Sequence, residues 1–159
     1  MKKTSYALAA TAAMIALAIG SKGFAASTTG TAKQIVIQAI AITNVSDLDF
    51  GSAPPGDAAK TVAAGTTDGP ANGSFNVTGE PNKSYTITLP ADGAVSMATG
   101  AGGTNQTIAV GTFTSFPSAN GTLSNSGSQT LLVGATRAAL SASQTPGTYT
   151  GTYTVTVVY

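Results

Sequence analysis

Six carboxylates, Asp47, Asp49, Asp57, Asp68, Glu80 and Asp92, are the acidic side chains available for chemistry in this 159-residue chain. His and Cys are absent, so no imidazole base, thiolate nucleophile, disulfide or zinc site of the usual kinds can be built. Asp47 and Asp49 stand two apart, on one side of an extended strand. Paired carboxylates of that kind can divide acid and base roles. With Asp57 they also offer oxygen donors to Ca²⁺, which takes six to eight. Their spacing does not match an EF-hand loop, and the twelfth position counted from Asp47 is Ala58, not an acid. Flanking Leu48 and Phe50, the two acids are expected to cap a turn. No catalytic, cofactor-binding or metal-binding residue is assigned, and a non-enzymatic protein is expected.

Composition narrows the field further. Charged residues make up 8% of the chain, against about 25% in ordinary globular proteins. Seven Lys and Arg give no basic footprint for nucleic acid. No Gly-rich segment has phosphate-loop spacing, and no aromatic platform stands beside cations for stacking bases. Six Asn-x-Ser/Thr triplets, at Asn44, Asn72, Asn76, Asn82, Asn105 and Asn120, follow from Asn at turns and Thr on strands. They are assigned no function.

Residues 1–25 read as a secretory signal peptide. Lys2 and Lys3 lead an uncharged, mostly apolar run over 7–20, and Gly23-Phe24-Ala25 places small residues for cleavage after Ala25. The run ends at Ser21-Lys22, short of the roughly 20 apolar residues that a transmembrane span needs. Removing 25 of 159 residues leaves 134, with four basic side chains against six acidic ones, so the net charge moves from +1 to −2. The expected location is periplasmic, cell-surface or extracellular. Residues 26–159 are expected to form a single domain held together without disulfides.

Period-two patterning dominates that domain. Thr supplies 26 residues of the whole chain, and Thr, Val, Ile and Tyr favour strands. Residues 33–43 (KQIVIQAIAIT) predict a strand buried on both faces. Residues 48–51 predict a short strand or corner, 52–57 a proline-forced loop, and 61–64 a short strand. Residues 74–90 predict a hairpin turning at 79–83, with Phe75 and Val77 on one arm and Tyr85, Ile87 and Leu89 on the other. A Gly-rich loop is expected at 91–105 and a strand at 106–113. A hairpin turn is expected at Asn120-Gly121, and a strand at 130–133 broken by Gly134, with the segment free to resume as far as Leu140. A short helical turn is admitted at 137–141. Residues 148–159 (TYTGTYTVTVVY) alternate most cleanly, with Tyr149, Gly151, Tyr153, Val155, Val157 and Tyr159 on one face and threonines on the other. Seven to nine short strands with turns between them predict an all-β antiparallel sandwich.

Four segments in this order, 47–51 (DLDFG), 75–79 (FNVTG), 85–90 (YTITLP) and 147–157 (GTYTGTYTVTV), resemble a secreted bacterial family, the domain of unknown function 4402. The likeness runs from about Ile35 to Tyr159. The last strand and the phrase LDFG are also similar to archaic chaperone–usher pilus subunits and spore-coat-U-like proteins. That similarity implies an immunoglobulin-like, pilin-like sandwich lacking one strand, which the N-terminal extension of the next subunit supplies. Many of those relatives carry a disulfide, and this chain does not. The first-named family brings no established activity.

The expected role is therefore that of a secreted structural or surface-interaction subunit, fimbrial-like or coat-like. Its partners would be further copies of itself or a periplasmic chaperone, engaged by strand addition. Ile35, Ile37, Ile40 and Ile42 would anchor a donor segment over 34–43 if a bulge follows Gln38. Tyr149, Tyr153, Val155, Val157 and Tyr159 would form the receiving edge. The reading set against this is that residues 34–43 are the first strand of the chain's own complete sandwich, which leaves only the eight residues 26–33 as a tail, too short for a good donor. Two further readings stand beside this one: a monomeric binding module using the loops 91–105 and 117–128, and a small outer-membrane β-barrel ending in an aromatic residue.

Overall fold

The computed structural model describes residues 24–159, apart from Asp68, Pro70 and Ala101. The expected signal peptide lies outside the described residues except for Phe24 and Ala25, which are exposed and carry no regular structure. Residues 24–35 contain no strand. Among the described residues all the strands fall in the compact unit Val36–Tyr159.

That unit is all-β, with no helix among the described residues. Its strands are β1 (Ala41–Ser46), β2 (Lys60–Val62), β3 (Gly73–Thr78), β4 (Ser84–Thr88), β5 (Val95–Ala98), β6 (Thr107–Phe116), β7 (Asn120–Thr122), β8 (Ser128–Arg137) and β9 (Thr156–Val158). One sheet has the order β1-β3-β8-β6-β5, with β2 beside the C-terminal end of β8. The other has the order β7-β4-β9. Every pairing is antiparallel.

The apolar face of each sheet is turned to the other, giving a β-sandwich. Val77, Leu131 and Val133 from the larger sheet meet Tyr85, Ile87 and Val157 from the smaller one, and Leu123 joins them. A second cluster, Phe50, Val62, Val95, Val110 and Ala135, lies on the larger sheet. Strand β8 is the centre of the fold. Leu131, Leu132 and Val133 are all buried, so both of its faces are covered there, which explains its unbroken apolar run.

Several expectations are corrected. The strand expected over 33–43 starts at Ala41, because its ladder partner β3 ends at Thr78, directly opposite Ala41. Residues before Ala41 have no ladder to join. The expected 74–90 hairpin is not one: β3 pairs with β1 and β8, whereas β4 pairs with β7 and β9. The turn at 79–83 crosses from one sheet to the other. Val77 and Ile87 still face one core, and period two alone does not distinguish a hairpin from such an arch.

Asn120 and Gly121 form part of β7 instead of a turn. Gly121 sits opposite Tyr85, and a Cβ there would lie 2.3 Å from the tyrosine ring. The glycine makes room for an aromatic side chain. Gly134 does not break β8, and residues 137–141 are not helical. Strand β5 occupies part of the expected Gly-rich loop. In the C-terminal segment only 156–158 is ladder-paired, plus a single bridge between Thr150 and Ala98.

Candidate strand-pairing site

The alternating C-terminal segment crosses the sandwich. Thr150 bridges to β5, at one edge of the larger sheet, and β9 pairs with β4 in the smaller sheet. Residues 151–155 belong to no ladder. Burial follows the sequence pattern: Tyr153, Val155 and Val157 turn inward, while Thr152, Thr154 and Thr156 are exposed. Strand β9 is an edge of its sheet, and β1 is an edge of the other. Unpaired edges of this kind are templates for another strand.

Each residue of the receiving edge has a definite place. Val157 is in the inter-sheet core, and Tyr153 and Val155 pack against it. The Tyr153 ring stands edge-on to Phe75 at 6.1 Å and tilted against Phe113 at 5.4 Å. Burial pushes the Tyr153 phenol up to about 12, and the negative charge of Asp47 adds to the shift. Burial also raises Tyr85, whose hydroxyl donates to Gln129 Oε1 at 2.8 Å. Tyr149 is half-buried, its hydroxyl within 2.7 Å of the Thr145 carbonyl. Tyr159 is 41% exposed, yet its hydroxyl donates to the Gln38 carbonyl at 3.0 Å and accepts from the Glu80 backbone N–H at 2.5 Å. Gly79 makes this possible, since a Cβ there would stand 2.1 Å from the Tyr159 hydroxyl.

The four isoleucines divide into two pairs. Ile40 and Ile42 pack against the core of their own chain. Ile35 is 72% exposed, Ile37 is 42% exposed, and Val36 between them is 84% exposed. Gln38 marks the division. Its N–H donates to Glu80 Oε2 at 2.8 Å and its carbonyl accepts from Tyr159. The sequence offered no signal for Gln38 or Glu80, because both act through contacts across the fold. Val36 was legible only as part of an apolar run.

The acids do not converge. Asp47 accepts from Asn44 Nδ2 at 2.8 Å, and Asp49 accepts from the Gly51 N–H at 2.7 Å, so both stabilise turns. Asp57 instead pairs with Arg137. Among the described residues no group of three or more acids is gathered.

A family model described as a domain of unknown function, DUF4402, matches residues 40–159. The chain belongs to that family. The match covers most of the chain and opens at Ile40, the first described residue withdrawn from solvent. The exposed Ile35-Val36-Ile37 stretch thus lies just ahead of the DUF4402 region. No curated protein and no solved structure matches.

Proposed function

We propose that this DUF4402 protein is an exported, non-enzymatic structural or surface-interaction subunit that associates by strand pairing. One observation carries the reading. Three consecutive aliphatic side chains, Ile35, Val36 and Ile37, are exposed immediately before the point where Gln38 is tied down. Burying such a stretch against an open edge removes apolar surface from water and satisfies backbone donors and acceptors together. The edges β1 and β9 suit that role. The similarity of the last strand to pilus subunits supports the same reading, as does the low charge of the chain. Cleavage after Ala25 would leave residues 26–37 as an extension of 12 residues, long enough for a donor strand.

The test is a deletion of 26–37, which spares Ile40 and Ile42. The mature protein is expected to form species larger than a monomer in sedimentation, and the deleted form to be a folded monomer. A synthetic peptide spanning 26–40 is expected to bind the deleted form. A mature protein that stays monomeric at high concentration, with or without 26–37, overturns the proposal. N-terminal sequencing of the exported chain checks the cut after Ala25.

A further inference from the structure

A cavity of about 450 Å³ lies between the loop that follows β1, the strands β5, β6 and β8, and the loop that precedes the C-terminal segment. Its volume falls within the range of small-molecule sites. The walls are mixed, with Leu48, Phe50, Met97, Ile108 and Leu140 among the apolar side chains. Two segments that carry the family resemblance, 48–51 and 147–149, both line it.

Two almost fully buried polar side chains also line it, Arg137 at 3% and Gln144 at 7% exposure. A guanidinium has five N–H donors. Arg137 Nη1 donates to the Ala58 carbonyl at 2.9 Å and the Ala138 carbonyl at 3.0 Å, and Nη2 donates to the Asp57 carboxylate. Donors therefore remain. Gln144 is committed on its nitrogen side only. Its Nε2 donates to the Thr107 carbonyl at 3.2 Å and the Tyr149 hydroxyl at 2.9 Å, and its Oε1 accepts no hydrogen bond among the described residues.

A ligand that satisfies both must offer an acceptor to Arg137 and a donor to Gln144 Oε1. A carboxylate only accepts and an ammonium only donates. Local charge points the same way. Asp57 balances Arg137, and the wall also carries the acid Asp49, with the Lys60 Nζ 3.5 Å from where a Gly51 side chain would begin. We infer that this cavity binds an uncharged ligand bearing an amide on an aliphatic body, its carbonyl accepting from Arg137 and its N–H donating to Gln144. The inference is independent of assembly: a chain that never polymerises would still have the site.

The probe is N-acetyl-leucinamide, titrated into ¹⁵N-labelled protein at millimolar concentrations and followed by NMR, with the carboxylate N-acetyl-leucine as comparison. Saturable shifts are expected at the Arg137 Nε–H and at the amides of 48–51 and 144–149. The carboxylate is expected to bind at least about tenfold more weakly. Leu140→Trp, which fills the space, and Gln144→Leu, which removes the acceptor, are each expected to abolish or weaken the shifts while spectral dispersion stays native. The inference is overturned by the absence of saturable shifts in the unaltered protein, by equal binding of the acid, or by shifts centred on β1 and β9. Undiminished binding by a folded Leu140→Trp chain overturns it as well. Titration of the unaltered chain decides the matter even if a variant fails to fold.

Discussion

The hydroxyl of Tyr159 donates to the carbonyl of Gln38 across 3.0 Å, tying the C-terminal strand segment to a point two residues before Ile40, the first core isoleucine. The same oxygen accepts from the Glu80 N–H. Tyr159→Phe keeps the ring and removes both bonds. A net cost of about 0.5–1.5 kcal/mol per hydrogen bond predicts a small fall in melting temperature. The more specific result is local. Hydrogen exchange at the Gln38 amide should speed up in the variant, while exchange in β8 changes only by the global loss. Unchanged exchange at Gln38 would show that the Glu80 contact alone holds this point.

Gly121 and Tyr85 provide a second test. An alanine at 121 would set its Cβ 2.3 Å from the Tyr85 ring and 2.5 Å from Gln129 Oε1. Overpacking of this kind costs about 1–3 kcal/mol. Gly121→Ala should therefore lower the urea midpoint with little change in slope. Adding Tyr85→Leu should give a double variant less destabilised than the sum of the two single ones, since the second change removes the clash. Strict additivity would contradict the pairing.

Much of the sandwich was legible because burial in it is one-sided. Tyr85 and Ile87 are buried while Ser84, Thr86 and Thr88 are exposed, and 148–159 keeps its alternation even where no ladder forms. What the pattern could not supply is partnership. A period-two segment reads the same whether it pairs with its neighbour in sequence or with a distant strand, so the arch between β3 and β4 looked like a hairpin. Gly121 looked like a turn residue because glycine serves both turns and close packing. Residues 34–43 read as one strand although only its last three residues, Ala41, Ile42 and Thr43, have a partner, since the end of β3 sets the limit. Arg137 and Gln144 are far apart from Leu48 and Phe50 in sequence, and only the fold brings them to one cavity.

Alkaline titration should report on Tyr153. Its pKa is raised, so the unfolded chain loses its phenolic proton near pH 10 while the folded chain keeps it up to about 12. The stability tied to this group is whole below pH 10 and is lost as pH rises from 10 towards 12. Tyr85, raised for the same reason of burial, acts in the same direction. Tyr153→Phe should flatten the fall in melting temperature between pH 10 and 12 and leave the neutral-pH value nearly unchanged, because the ring contacts with Phe75 and Phe113 remain. Equal pH slopes for the two proteins would remove Tyr153 as the source.

The Arg137–Asp57 pair joins a buried cation at 3% exposure to a carboxylate at 41%. Such asymmetry makes the two halves unequal in mutation. Asp57→Asn leaves a buried guanidinium with its two carbonyl acceptors, Ala58 and Ala138, but without a counter-charge. A loss of about 1–3 kcal/mol is expected, since bonds to charged groups exceed neutral ones and an unpaired buried charge is costly. Arg137→Met removes the charge and leaves Asp57 free to meet water, so the double variant Asp57→Asn/Arg137→Met should be no less stable than Arg137→Met alone. Denaturant midpoints of the wild type, both single variants and the double variant close the cycle. A double variant markedly weaker than Arg137→Met would mean that Asp57 supports the fold through contacts other than this pair.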